Sequence, residues 1–149
     1  CKFQKYDDII MYNFYVLKIT AIRKIYTYLF VGSRQMYIRK SNKDNSYFKG
    51  YKKDVYEFHI AHNEGNYFCS NEQIKEINDN DQIALFYSDE YGNVNEQSNP
   101  NGSLKNIAGI FNKQKNVIGM MPHPERMIDP ALSGEDGSIF FENLINNLK

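Results

Sequence analysis

The stretch IAGIFNKQKNVIGMMPHPER, residues 107–126, combines two apolar runs with a proline-rich segment. Two apolar runs, IAGIFN at 107–112 and NVIGMM at 116–121, flank a short polar stretch, and this arrangement predicts a β-hairpin. The hairpin leads directly into PHPER at 122–126, where two prolines restrict the backbone and stiffen the chain. A stiff segment that follows a strand is a suitable place to hold side chains in a fixed arrangement.

Strand and helix patterns alternate along the chain before this hairpin. VYEFHI at 55–60 and QIALFY at 82–87 predict strands. Between them, Ser70 and Gln73 form a capping-box pattern that predicts a helix, with two isoleucines as its apolar stripe. Strands mixed with helices predict an α/β or α+β domain.

Other segments give further expectations. The apolar face of a final helix is predicted to consist of Phe140, Phe141, Leu144, Ile145 and Leu148. Residues 9–31 are apolar and fit either a strand or a buried helix, whereas the polar residues 41–54 predict a surface loop. His59 is expected to face outward along its strand.

Length, charge and cysteine content restrict the class of protein. The chain has 149 residues, which is the size of one domain, and its 18 Lys+Arg balance its 18 Asp+Glu. This balance argues against nucleic acid or an anionic membrane as the partner. Basic residues interrupt the apolar run 9–31, which argues against a transmembrane helix. Cys1 and Cys69 do not form a disulfide scaffold or a metal-binding spacing, so a reducing cytoplasm is expected.

The segment PHPER carries the clearest chemical signal. On an extended segment, residues two apart share a side, so His123 and Glu125 are expected to lie side by side. The carboxylate would then hold the proton of one ring nitrogen and leave the other nitrogen basic, ready to activate a nucleophile. The alternative is a packed loop histidine beside a solvated glutamate.

The residues themselves leave the nucleophile open between Cys1, Cys69 and a serine. Cys69 lies just before a predicted helix, whose N-terminal dipole would favour a thiolate, but a small apolar filler is the alternative. Cys1 precedes a long apolar stretch, as a nucleophile at a strand end would, and a chance terminal residue is the alternative. In a further interpretation, the α-amino group of Cys1 is itself the base.

Three segments carry a specific family resemblance: IAHNEGNYF at 60–68, SNPNGSLKNIAGIFN at 98–112 and NVIGMMPHPER at 116–126. They resemble the glutaminase subunits of phosphoribosylformylglycinamidine synthase, which are class I (triad) glutamine amidotransferases. The resemblance implies a flavodoxin-like α/β fold, here incomplete because the family's N-terminal strands are missing. Residues 1–149 are then a single partial amidotransferase domain, family-like over 39–149 and divergent over 1–38.

The resemblance also implies roles for individual residues. Cys1 would be the nucleophile, His123 the general base and Glu125 its orienting carboxylate. The reaction would hydrolyse glutamine to glutamate and ammonia through a cysteine thioester, as part of purine biosynthesis. His62, Glu64 and Asn66 resemble a family-specific stretch near the glutamine pocket and the partner surface, and Gln4 matches a position of the family's nucleophile motif. These four residues are the expected substrate-binding set. The alternative is a hydrogen-bonded loop histidine at His62 and a solvated turn carboxylate at Glu64.

Partners follow from the same resemblance. Ammonia would pass to a synthetase subunit, in a complex that also contains a small accessory subunit. ATP and Mg are expected on the synthetase, and no cofactor or metal is expected in this chain. The family pattern C-N-G-F-Q has a glycine that CKFQ at 1–4 lacks, so a fragment or degenerate copy with poor activity alone is expected. The alternative function is a non-catalytic remnant that retains at most the partner-binding surface.

Overall fold

The computed structural model describes residues 9–12, 15–18, 34–41, 48, 50–61, 65–131 and 134–147. The strands are β1 (Ile9–Tyr12), β2 (Tyr15–Lys18), β3 (Arg34–Lys40), β4 (Val55–Ile60), β5 (Ile83–Ser88), β6 (Ile107–Phe111) and β7 (Ile118–Met120). The α-helices are α1 (Asn71–Asp79) and α2 (Asp136–Asn147), and short 3-10 helices occupy Glu96–Ser98, Leu104–Asn106 and Pro124–Arg126.

Five of the described strands form one sheet in the order β4-β3-β5-β6-β7, with every pair antiparallel. The strands β1 and β2 form a separate antiparallel hairpin, so the apolar run 9–31 contains strands in its described part. The predicted strands at 55–60 and 82–87 are confirmed as β4 and β5 within one residue.

The hairpin predicted between residues 107 and 121 is confirmed as β6 and β7, which pair Phe111 with Ile118. The Asn112 side chain forms the turn, because its Oδ1 accepts from the backbone N–H groups of Asn116 and Val117 at 3.0 and 3.1 Å. Lys115 completes the turn with a φ of 54°, a left-handed conformation that is uncommon outside glycine.

The capping box predicted at the start of α1 is confirmed. The Ser70 hydroxyl accepts from the Gln73 N–H at 3.3 Å, and the Gln73 side chain accepts from the Ser70 N–H at 3.0 Å. These two bonds satisfy donors that a helix start leaves free. Ile74 and Ile77 then pack into a small apolar cluster between α1 and the sheet.

The helix α2 packs against the aromatic core on the other side of the sheet. The Phe140 ring makes edge contacts with the rings of Tyr56 and Phe58, at centroid distances of 5.8 and 5.5 Å. Leu144, one helical turn later, is also buried. The prediction for Ile145 was wrong, because this side chain is 54% exposed. Leu148 lies outside the described residues.

The prediction of a surface loop at 41–54 was wrong for two aromatic residues. Phe48 and Tyr51 are buried and contact each other edge-on at a centroid distance of 5.3 Å. The free energy gained by burying their apolar area favours burial even though the surrounding residues are polar. Lys40, just before this segment, is buried too and forms an ion pair with Asp54 at 3.3 Å.

No helix within the described ranges is both long and apolar enough to cross a membrane.

Candidate active site

The segment after β7 forms a tight turn, which we call the PER turn, residues 123–127. The N–H of Arg126 donates to the carbonyl of His123 at 3.2 Å, and that of Met127 donates to Pro124 at 3.0 Å. The extended conformation expected for this segment was therefore wrong at Pro124–Arg126, which is a 3-10 helix. Proline suits its first position because its fixed φ is already helical and its missing N–H has no partner there.

The two side chains that motivated the prediction meet in the PER turn. The Nδ1 atom of His123 lies 2.6 Å from Oε1 of Glu125. The His123 side chain is 21% exposed and the Glu125 side chain 48% exposed, so solvent reaches both residues but the imidazole is mostly covered. A hydrogen bond this short between an imidazole and a carboxylate indicates a charge-assisted interaction.

The chemistry of Glu125 determines the tautomer of His123. Burial raises the pKa of the Glu125 carboxyl, but the hydrogen bond and charge of His123, its own backbone N–H and the charge of Arg126 outweigh burial and lower that pKa. Glu125 is therefore ionised at neutral pH and accepts hydrogen bonds only. Consequently Nδ1 carries the proton, and in the neutral ring Nε2 has the free lone pair.

The strand β4 anchors the turn. The backbone N–H of His123 donates to the carbonyl of His59 at 2.8 Å, and the two residues form an isolated antiparallel bridge. The sheet thus fixes the backbone of His123 at the edge formed by β4. This role of His59 is not predictable from the sequence, because any residue type can accept a hydrogen bond at its backbone carbonyl.

The ring of His59 is less exposed than expected. It lies on the outer face of β4, but it is partly buried, and its buried Nδ1 has no hydrogen-bond partner among the described residues. Burial lowers the pKa of His59, the nearby charges of Arg126 and His123 lower it further, and Glu57 opposes them. His59 therefore stays neutral near pH 7, so it adds no positive charge beside His123.

Cys69 occupies a position that suits packing more than catalysis. It is buried in the cluster of Ile74 and Ile77, and its thiol shares a hydrogen bond with the Tyr67 hydroxyl. Burial raises the pKa of Tyr67, and its contact with Cys69 raises it further. The apolar-filler interpretation fits this environment better than the nucleophile interpretation does.

Most of the remaining predicted site residues lie outside the described residues: Cys1, Gln4, His62 and Glu64. Asn66 is described, is exposed and lies beside Gly102. Nearby, the Asn101 side chain donates to the Gly65 carbonyl at 2.7 Å, and the Tyr67 N–H donates to the Ser103 hydroxyl at 3.1 Å. The SNPNGS segment thus fixes the backbone that follows residues 62–64.

Two residues at the start of α2, which were not singled out from the sequence, connect this helix to the PER turn and to β4. Gly137 donates its N–H to the Met127 carbonyl at 2.7 Å. Asp136, the first residue of α2, accepts from the Glu57 N–H at 2.8 Å. Glycine is a poor helix former, so its place shortly before the predicted apolar face at 140–148 was a usable signal of close packing.

Within the described part of the chain, no group of three or more His, Cys, Asp or Glu side chains is arranged to hold a metal ion. The reactive groups that the geometry does present are the imidazole of His123 and its carboxylate partner Glu125.

Comparison with known proteins shows what the chain is similar to. A family model described as the CobB/CobQ-like glutamine amidotransferase domain matches residues 30–134. The chain is 81% identical over 122 residues to the phosphoribosylformylglycinamidine synthase subunit PurQ of Pelagibacter ubique, covering 82% of this chain and 54% of that one. It is 44% identical over 116 residues to the subunit of the same name from Chlorobium luteolum, covering 77% and 50%.

A solved structure gives the same result. The "Structure of PurLQS from Thermotoga maritima" matches with a TM-score of 0.57 and 27% identity, covering 79% of this chain and 48% of that chain. The resemblance to the glutaminase subunits and to a partial class I amidotransferase fold is thereby confirmed. The chain spans about half the length of the curated relatives it matches. With the family model matching well over half of its residues, the chain belongs to the CobB/CobQ-like glutamine amidotransferase domain family.

Proposed function

We propose that this chain provides the general base and its orienting carboxylate in the glutaminase component of phosphoribosylformylglycinamidine synthase, an enzyme of purine biosynthesis. The observation that carries the proposal is the 2.6 Å contact between His123 Nδ1 and Glu125 Oε1. It occurs within a segment that the family model matches. An oriented imidazole is the group that converts a weak nucleophile into a reactive one.

The first step forms a thioester. Nε2 of His123 takes the proton of the Cys1 thiol, and the thiolate attacks the side-chain amide carbon of glutamine. The resulting imidazolium is stabilised by the ionised Glu125 on its other nitrogen. It then gives its proton to the departing nitrogen, which leaves as ammonia while the carbon–sulfur bond remains.

The second step releases the product. His123 takes a proton from a water molecule, which attacks the thioester carbon and breaks the carbon–sulfur bond. The proton returns to the Cys1 sulfur, and glutamate leaves. Over both steps, glutamine and water become glutamate and ammonia, and the chain is unchanged. A base of this kind contributes about 10²–10⁴ in rate.

Substrate and partners belong to the same proposal. Glutamine is the substrate, held by the predicted set Gln4, His62, Glu64 and Asn66. Ammonia is delivered to a synthetase subunit, within a complex that includes a small accessory subunit and binds ATP and Mg on the synthetase. This chain needs no cofactor of its own. A cytoplasmic location suits a mechanism that depends on a free thiol.

The test compares two nitrogen sources in the reconstituted complex of the natural chain with its synthetase. With glutamine as the source, His123→Ala is expected to lower product formation by about 10²–10⁴-fold. With added ammonia, the same variant is expected to support the normal rate, because the synthetase then needs no glutaminase. The matched control Gln114→Ala changes an exposed residue of the β6–β7 turn and is expected to leave both rates unchanged.

Two results would contradict the proposal. One is a His123→Ala complex that uses glutamine as fast as the unchanged complex. The other is a natural chain that binds the synthetase in a complex that uses ammonia but never glutamine. This is the behaviour expected of a non-catalytic remnant.

A further inference from the structure

The first turn of α2 lies directly behind the PER turn. The first N–H groups of a helix have no partner within the helix, so they are available to other acceptors. In α2, the Gly137 N–H uses this freedom and donates to the Met127 carbonyl at 2.7 Å. Met127 is the residue that closes the PER turn, because its own N–H donates to the Pro124 carbonyl at 3.0 Å.

Gly137 is the residue whose lack of a side chain allows this approach. A Cβ atom at position 137 would lie 1.8 Å from the Pro124 carbonyl oxygen and 2.8 Å from that of Met127. Both obstacles are backbone atoms, so no side-chain rotation relieves the collision. Glycine is disfavoured in helices, yet here it is the residue type that fits.

Asp136 ties the same helical turn to the sheet. Its Oδ2 accepts from the Glu57 N–H at 2.8 Å, and its other oxygen pairs with the Lys53 ammonium. Glu57 lies on β4, two residues before His59, whose carbonyl accepts from the His123 N–H. The contacts therefore form a closed circuit from β4 to the PER turn, to the first turn of α2 and back to β4.

We propose that Asp136 and Gly137 are positioning residues, which hold the backbone of the PER turn so that His123 Nδ1 faces Glu125. Their importance for catalysis rests on the proposed glutaminase function, but the geometric claim is independent of it. The circuit fixes the turn from both sides, by β4 at His123 and by α2 at Met127. The contact between His123 and Glu125 is therefore set by backbone packing as well as by their own attraction.

The geometric claim is tested by long-range nitrogen–proton NMR of the histidine rings in the natural chain, which shows the nitrogen that carries the proton. The chain has three histidines, so His123→Ala assigns the signal. The unchanged protein is expected to show the Nδ1–H tautomer at His123. Gly137→Ala is expected to lose this signature and to shift towards the Nε2–H form.

A matched control separates positioning from general loss of stability. Ile77→Ala removes a buried side chain in the cluster at α1, which packs on the sheet away from α2. It is expected to destabilise the protein and to keep the Nδ1–H signature at His123. In the reconstituted complex, Gly137→Ala is expected to lower kcat for glutamine by about 10²-fold, the cost of a displacement near 1 Å, with little change in KM.

The proposal is overturned if Gly137→Ala folds and keeps the Nδ1–H signature, or if Ile77→Ala loses it as well. Should Gly137→Ala fail to fold, Asp136→Ala decides, since it removes the tie to β4 without a collision. A shift towards Nε2–H in that variant supports the proposal, and an unchanged ring signal overturns it. The two proposals can fail separately. If the natural chain has no glutaminase activity but the variants still shift the His123 tautomer, the proposed function is refuted and the positioning role remains.

Discussion

At the scale of single residues, the Glu125 carboxylate determines which nitrogen of His123 is available as a base. Its lowered pKa keeps it ionised, and an ionised carboxylate accepts but does not donate. The proton on Nδ1 is therefore a consequence of Glu125 and not of the ring itself. In the neutral ring, Nε2 keeps the free lone pair that the proposed mechanism uses.

The first prediction concerns Glu125→Gln. The amide keeps the shape of the side chain but lacks the charge that stabilises the imidazolium, so kcat for glutamine is expected to fall by about 10²–10⁴-fold. Steady-state assays of the reconstituted complex measure this change. Glu142→Gln, an exposed position on α2, is the matched control and is expected to keep the normal kcat. Equal rates for the two variants would exclude an electrostatic role for Glu125.

The second prediction concerns the neutral His59. Its pKa in the folded state is lowered, first by burial and then by Arg126 and His123, so the unfolded chain binds the proton more readily. The free energy of unfolding should therefore fall as the pH drops from above about 6.5, the unfolded value, towards the lower folded value. Urea unfolding measures the free energy of unfolding at pH 7.5 and at pH 5.5. The decrease between these two pH values is expected to be smaller for His59→Gln than for the natural chain. An identical loss in both would contradict the assignment.

At the scale of secondary-structure elements, the first turn of α2 contacts the PER turn and the middle of α2 packs into the core. Its first turn contacts the PER turn through Gly137. Its middle packs Phe140 and Leu144 into the aromatic core. The position of the first turn is therefore fixed by burial further along the same helix.

The third prediction compares neighbours on α2. Leu144 is 1% exposed and Ile145 is 54% exposed. Leu144→Ala is expected to lower the free energy of unfolding by about 2–5 kcal/mol, the usual cost of a buried leucine. Ile145→Ala is expected to change it by less than about 0.5 kcal/mol, as for surface positions. Urea unfolding of both variants checks this, and comparable losses would show that the helix buries a different face.

These elements show what the sequence can and cannot predict. The β6–β7 hairpin was predictable because its apolar runs and polar turn are local signals. The exposure of Ile145 was not predictable, because the sequence gives the apolar face of a helix but not the angle of rotation at which that helix packs on the core. Phe48 and Tyr51 were missed because they are apolar residues inside a polar segment, and their burial depends on the aromatic core beyond it.

The candidate site was predictable to a similar degree. His123 and Glu125 are two residues apart on a proline-rich segment, so their encounter was visible as a local pattern. The 3-10 conformation was missed because proline is compatible with both extended backbone and the first position of a helix. The contributions of Asp136 and Gly137 depend on contacts between distant parts of the chain. The residue boundary at 39, where the family-like part is expected to begin, stays a prediction.

At the scale of the whole molecule, the site is assembled from three separate parts of the chain. Strand β4 supplies the carbonyl of His59, the hairpin β6–β7 delivers His123, and α2 closes the arrangement through Gly137. Both layers on the sheet contribute to its stability, the aromatic core beneath α2 and the smaller cluster beneath α1. The geometry of the His123–Glu125 pair is therefore a property of the folded domain and not of the PHPER segment alone.

The proposed mechanism requires that His123, oriented by Glu125, activates the Cys1 thiol. The most direct measurement is the rate at which a diazoketone analogue of glutamine alkylates the natural chain in its complex, with the labelled cysteine located by mass spectrometry. We expect label on Cys1, protection by glutamine, and labelling that is slower by about 10²-fold or more in His123→Ala. Label on Cys69, or an unchanged rate in His123→Ala, would contradict it.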